Sequence, residues 1–136
     1  MEVKSNMDHT IVHFEIPAKN LEKLKEFYEK LFDWKIIHSP AGDMDYWVIH
    51  TVPTDEKGMP QRPGVNGGMY RKQPEQEGAI PVNYMTVENV DQYLEKVTNL
   101  GGTVLMTKQT VPGVGFIAIA TDVEGNQFGL LQPQMQ

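Results

Sequence analysis

The chain has no cysteine among its 136 residues. That absence excludes thiol nucleophiles, iron–sulfur clusters and cysteine-ligated zinc, and it agrees with a cytoplasmic setting. Long apolar runs are missing too. Nothing approaches the roughly 18 consecutive apolar residues of a membrane span, and the opening MEVKSNMDHT lacks the apolar stretch of a secretory signal. Basic charge is also scarce: 12 Lys and Arg stand against 18 Asp and Glu, a net −6, with no Lys/Arg stripe. A phosphate-backbone or membrane-surface partner is therefore not expected. What is present is ordinary globular composition, 40% hydrophobic and 22% charged, unlike disordered, collagen-like or coiled-coil chains. A chain of this length buries roughly 68% of its unfolded surface, so it needs no disulfide or structural metal to fold.

Alternating polarity and β-forming residues predict a strand over Ile11-Val12-His13-Phe14-Glu15-Ile16. Leu21, Leu24, Phe27, Tyr28 and Leu31 then recur at helical intervals, with charged residues on the other face and Asn20 placed as N-cap. Trp34–His38 and Tyr46–Val52 read as strands, separated by turn chemistry at Pro40-Ala41-Gly42-Asp43. A loop rich in Pro and Gly leads to a short strand near Gly67-Gly68-Met69-Tyr70, and 71–79 is a polar linker. The second half runs in the same order. Pro81–Val87 reads as a strand, and Val90, Tyr93, Leu94, Val97 and Leu100 form a helical stripe stopped by Gly101-Gly102. Strands are expected over Thr103–Val111, Phe116–Thr121 and Phe128–Gln132. Adding 70 to a first-half number finds its counterpart: His13 meets Asn83, Phe14 meets Tyr84 and Ile49 meets Ile119, while Gly68 pairs with Gly129. The expected architecture is α+β, one domain over 1–136 built from two tandem βαβββ modules at about 8–71 and 80–133.

Strand alternation assigns faces. Val12, Phe14 and Ile16 form the apolar set expected under the Leu21/Leu24/Phe27/Leu31 helix face. The opposite face carries Ile11, His13 and Glu15 and, by the repeat, Asn83 and Met85. On the third strand, Trp47 and Ile49 are assigned to the helix side, which places Tyr46 and His50 opposite. The same rule sets Ile117 and Ile119 against the second helix and turns Phe116, Ala118 and Ala120 away. Tyr70 shares parity with Gly68 and joins the His13 face. A Glu and a His on such a face need solvent, a partner or a ligand. Glu15 reads either as a general base or as a paired carboxylate. His13 and His50 read either as functional groups or as histidines satisfied by neighbours, and His9 and His38 as surface or strand-end residues. Gly68 and Gly129 either allow close strand packing or open volume for a ligand. Asn66-Gly67-Gly68 and Pro112-Gly113-Val114-Gly115 are too short and wrongly placed for phosphate loops.

The strings HFEIPAKNLEKLKEFYEKLFDWKI, VENVDQYLEKVTNLGG and TDVEGNQFGLLQP carry a family resemblance. The chain resembles the vicinal oxygen chelate superfamily over roughly residues 10 to 133, and is similar to its glyoxalase-related branch. That superfamily includes glyoxalase I, bleomycin-resistance proteins and extradiol dioxygenases. The resemblance implies curved mixed sheets around a cleft that holds a small molecule, often with a divalent metal, and a homodimer. It places metal ligands on the first and fourth strands of each module, which here are His13, Asn83, Gly68 and Gly129. One imidazole and one amide are a poor set for a hard divalent ion, so no metal and no other cofactor is expected. The expected function is small-molecule binding with a degenerate metal site. The alternative is a glyoxalase-like lyase or isomerase abstracting a proton next to a carbonyl, with a weakly held metal. In either case His13 and Glu15 are the candidate catalytic groups, and Tyr46, His50, Tyr70, Asn83, Met85 and Phe116 the candidate lining.

Overall fold

A computed structural model describes residues 7–39 and 45–134, so the turn expected at Pro40–Asp43 lies outside the described residues. The chain divides into two compact units, residues 13–81 and residues 1–12 together with 82–136.

In the 13–81 unit, β1 (Ile11–Ala18, from His13 on) is followed by α1 (Leu21–Phe32), β2 (Lys35–His38), β3 (Tyr46–His50) and β4 (Gly67–Arg71). The strands lie in the order β2-β3-β4-β1. β1 and β4 run parallel, with Glu15 beside Gly68, and β4 pairs antiparallel with β3, which sets Val48 beside Gly68 and Tyr46 beside Tyr70. Helix α1 begins where expected: the Asn20 side chain accepts the Lys23 backbone N–H at 3.1 Å. It ends at Asp33, which takes the left-handed conformation (φ 57°) without being glycine.

The core of this unit gathers Ala18, Leu21, Ile36, Ile49 and Met69, with Phe14, Ile16, Leu24, Tyr28, Trp34 and Trp47 packed against it. The expected faces of β1 and β3 are therefore found, with Phe14, Ile16, Trp47 and Ile49 toward α1. The helix face differs from expectation, because Phe27 and Leu31 are 57% and 55% exposed. At about 100° per residue, the buried stripe centres on Leu21, Leu24 and Tyr28, and Phe27 lies well to one side of it. Tyr28 instead stacks on Trp34, with ring centroids 5.1 Å apart.

The loop from 51 to 66 is pinned. Asn66 accepts the Thr51 N–H at 2.8 Å and donates to the Thr54 hydroxyl at 2.8 Å, while Thr51 Oγ1 donates to the Val65 carbonyl at 2.7 Å. These bonds tie the end of β3 to the start of β4.

In the other unit, β5 (Val82–Thr86), α2 (Val90–Asn99), β6 (Thr103–Val111), β7 (Gly115–Thr121) and β8 (Gln127–Pro133) follow in chain order, after a short 3-10 turn at Pro74–Gln76 in the linker. The strand order is β5-β8-β7-β6, with β5 and β8 parallel and the other pairs antiparallel. Asn89 caps α2 by accepting the Gln92 N–H at 3.0 Å, and Gly101 (φ 97°) turns the chain at its end. Val87, Val90, Leu94, Ala118 and Leu130 form the core, with Tyr93, Val104, Phe116 and Phe128 packed against it.

That core corrects the face assignment of the second half. Ala118 and Phe116 pack on the α2 side, and Met85 stands beside Leu130, itself in contact with the helix cluster. By alternation Asn83 shares that side, so Asn83, Met85 and Phe116 are not placed as His13, Glu15 and Tyr46 are in their own unit. The cause is an offset of one residue. The two capping asparagines, Asn20 and Asn89, are 69 positions apart rather than 70. In a strand, an odd slip turns every side chain to the other face. Val82 and Tyr84, at an offset of 69, hold the places of His13 and Glu15. The glycine pairing survives, since Gly68 lies beside Glu15 and Gly129 beside Tyr84.

Candidate functional site

Phe14 and Ile16 are drawn toward α1, and this turns His13 and Glu15 to the opposite face of the 13–81 unit. Register places Tyr46 and Tyr70 on that same face, side by side across β3 and β4. Five of the sequence-predicted site residues thus share one face, with His13, Glu15, Tyr46 and Tyr70 grouped and His50 farther along it.

Three of them are bonded in series. The Tyr46 hydroxyl donates to Glu15 Oε2 at 3.0 Å. It also meets His13 Nε2 at 2.9 Å. A phenol has one proton to give, so with that proton on Glu15 it accepts from His13, which fixes the imidazole as the Nε2–H tautomer. His13 and Glu15 themselves stand 3.9 Å apart (Nε2 to Oε2), with 27% and 20% of their side-chain surface exposed. Burial holds the His13 pKa below the ordinary histidine value, while the Glu15 charge pulls in the opposite direction and is the smaller influence. His13 is thus neutral at pH 7 and does not form an ion pair. Burial, and secondly the Glu15 charge, push the Tyr70 pKa upward, which keeps that hydroxyl protonated.

Gly68 explains why the phenol can reach this position. A Cβ added there would coincide with the Tyr46 hydroxyl, so the room left by the absent side chain is filled by the tip of Tyr46. A different aromatic covers Gly129 in the other unit, where a Cβ would run into the Tyr84 ring. Tyr84 is 2% exposed. Of the two readings open for these glycines, close packing is the one found, against side chains rather than only strand against strand.

The remaining candidates are placed apart from this chain of bonds. His50 is half-buried on the Tyr46 face but four residues along β3, about 13 Å away, opposite Lys35. His38 bonds Asp45 at 2.7 Å and leans on Trp47. His9 is held between the Thr86 carbonyl (2.8 Å) and the Tyr93 hydroxyl (2.9 Å). Asn83, Met85 and Phe116 belong to the other unit, on its α2 side.

Chemically, the face offers a carboxylate, a neutral imidazole and two protonated phenols. The series N–H to O–H to carboxylate polarises along its length and locks each member's orientation. Sequence reasoning found the members but missed the contact between Tyr46 and Gly68. The only sign was a tyrosine and a glycine sharing one face of neighbouring strands.

A model of the Glyoxalase/Bleomycin resistance protein/Dioxygenase superfamily matches residues 10–130. No curated protein matches the chain. Among solved structures, methylmalonyl-CoA epimerase from Mycobacterium tuberculosis is similar with TM-score 0.67 at 13% identity, over 99% of this chain and 94% of that one. A methylmalonyl-CoA epimerase in complex with methylmalonyl-CoA and ammonium has TM-score 0.64 at 16% identity, over 90% and 93%. A hypothetical protein from Bacillus halodurans C-125 has TM-score 0.66 at 10% identity, over 96% and 98%. At such identities the likeness to these structures bears on fold alone.

Proposed function

Because the chain belongs to the Glyoxalase/Bleomycin resistance protein/Dioxygenase superfamily, we propose that it binds a small molecule in the glyoxalase/bleomycin-resistance manner, without a resident metal. The observation that carries this reading is the Tyr46 hydroxyl, which fills the space beside Gly68, donates a hydrogen bond to Glu15 and accepts one from His13. A divalent ion at the first and fourth strands needs several converging nitrogen and carboxylate donors. Here a phenol hydroxyl stands between the imidazole and the carboxylate, bonded to both. Among the described residues no three His, Asp or Glu side chains gather. This donor set does not fit the metal. The ligand would lie against Tyr70 and the His13–Tyr46–Glu15 series, held by directed hydrogen bonds. On this reading the chain is one cytoplasmic domain of two modules, about 8–71 and 80–133, acting as a homodimer with no nucleic-acid or membrane partner.

A second reading has a specific observation in its favour. Glu15, linked through a phenol to a neutral imidazole, is arranged as the base of a proton abstraction next to a carbonyl would be. On this reading Glu15 takes the proton and the Tyr70 hydroxyl donates to the developing oxyanion.

Elemental analysis and calorimetric titration with divalent ions, beside a His13→Ala control, test the metal-free reading. The expected result is no stoichiometric binding. Stoichiometric Mn, Fe, Co, Ni or Zn that disappears in the control overturns it. Deuterium exchange into carbonyl compounds, with a Glu15→Gln control, separates the two readings. Exchange lost in that variant establishes the lyase or isomerase, and saturable binding without exchange establishes the binding protein.

A further inference from the structure

A groove separate from the His13 face has its lining wholly within the unit of residues 1–12 and 82–136. It is open to solvent, with a volume of about 510 Å³, and lies on the α2 side of the sheet. That is within the range of small-ligand sites, roughly 300–1,000 Å³, and so is its make-up of apolar walls with few polar groups. Buried Val87 and Leu130 form the floor, and Met85, Tyr93 and Phe128 the walls.

One wall is rigid. The His9 ring donates from Nδ1 to the Thr86 carbonyl and accepts the Tyr93 hydroxyl at Nε2, so both rings are fixed, edge to face with centroids 5.2 Å apart. The Met85 wall is adaptable, since an unbranched thioether repacks around what it meets.

The charge that lines the groove is a carboxylate, while outside the lining the Lys96 ammonium stands over the Tyr93 ring, 4.7 Å from its centroid. No lysine or arginine lines the groove, and Asp122 is its charged group. Asp122 Oδ1 accepts the backbone N–H groups of Glu124 (2.8 Å) and Asn126 (3.0 Å) and the Asn126 amide (3.3 Å). Oδ2 accepts the same amide alone, at 3.0 Å. A carboxylate oxygen has two lone-pair sites, so Oδ2 keeps room for a further donor, while Oδ1 is saturated. These hydrogen bonds also hold the Asp122 pKa below the usual carboxylate range, which keeps the group charged at neutral pH.

We infer that this groove binds a small amphipathic cation, an amine carried on an aromatic or branched apolar body. The body lies on Val87 and Leu130 between Met85, Tyr93 and Phe128, and the ammonium reaches Asp122 Oδ2. Anions are disfavoured by the same carboxylate.

Three indole probes of nearly equal shape test this: tryptamine, tryptophol and indolepropionate, each titrated by calorimetry and followed by NMR. Tryptamine is expected to saturate with Kd of about 1 mM or tighter. Tryptophol should bind about tenfold more weakly for want of the charge-assisted bond, and indolepropionate not measurably. Asp122→Asn keeps the Oδ1 acceptor of the turn and is expected to abolish the preference for tryptamine over tryptophol. Met85→Trp fills the groove and is expected to remove both, with circular dichroism checking the fold. Should that variant fail to fold, contacts from tryptamine protons to the Met85 methyl and the Phe128 ring in the unmodified protein answer the same question. No saturable tryptamine binding, indolepropionate binding as well as tryptamine, or a folded Met85→Trp variant that still binds would each overturn the proposal.

Discussion

A single methyl group at position 68 should cost far more than its size suggests. Gly68→Ala places a Cβ where the Tyr46 hydroxyl now lies, so the phenol must leave. Two hydrogen bonds go with it. The one to the Glu15 carboxylate is worth about 1.5–3 kcal/mol and the one to His13 about 0.5–1.5 kcal/mol. His13 and Glu15 keep 27% and 20% of their side-chain surface in solvent, so water replaces part of the loss. Taking the lower half of the summed range, about 2–3 kcal/mol, and crediting alanine with about 0.5–1 kcal/mol over glycine in a strand, the net destabilisation is about 1–2.5 kcal/mol. For a domain of this size that corresponds to a fall in Tm of roughly 4–10 °C. The discriminating assay is a double-mutant cycle with Tyr46→Ala, read by urea denaturation. Once the phenol is gone, the same Gly68→Ala change should turn mildly stabilising, by about 0.5–1 kcal/mol. The coupling is then about 2–3 kcal/mol, well beyond the ~0.5 kcal/mol scatter of independent sites. Equal effects of Gly68→Ala in the two backgrounds would refute the claim that Tyr46 occupies that volume.

Burial holds the His13 pKa down in the folded state, so the unfolded chain binds the extra proton more readily. This contribution to stability is complete above the unfolded value of about 6.5 and is lost as pH falls below it. His13→Gln should flatten that part of the stability–pH curve, and an unchanged slope would count against a neutral His13. Glu15→Gln removes the charge that partly offsets burial, so NMR titration should find the His13 pKa lower still, and a rise would contradict the described environment. Replacing either capping asparagine, Asn20 or Asn89, by alanine should cost about 1 kcal/mol each in chemical denaturation. Asp33→Gly, at the left-handed end of α1 (φ 57°), should stabilise by about 0.5–1 kcal/mol, and a loss of stability would show that its side chain has a further role.

Much of this fold is legible in the sequence because its signals are local. Asn20 precedes the stripe of Leu21, Leu24 and Tyr28 and caps α1 as its position implies, and Gly101 ends α2 in the conformation only glycine adopts cheaply. The gathering of His13, Glu15, Tyr46 and Tyr70 is also readable, because two-residue alternation in β1, β3 and β4 is enough to sort faces. Where the reading fails, the missing information is relational. Matching Ile49 to Ile119 suggests an offset of 70, whereas the caps require 69. Since strand sidedness has period two, that one residue sends Met85 and Phe116 to the wrong side. Phe27 and Leu31 fit a helical repeat but lie off the axis of burial, which is set by where Ile36, Ile49 and Met69 rise to meet the helix. The contact of Tyr46 with Gly68 joins positions 22 apart through strand register, and no local pattern marks it.

The tyrosine in the place of a missing side chain also bears on ancestry. A side chain at position 68 does not fit while Tyr46 is in place, because the two compete for one volume. Trimming Tyr46 first removes its hydrogen bond to Glu15 and leaves a hole beside the glycine. Each single step is disfavoured, and only the pair of changes together avoids both the clash and the hole. Descent through this protein should therefore run one way: sequences that keep Gly68 should keep a large hydroxylated residue at 46, and those with a bulky residue at 68 should have given it up.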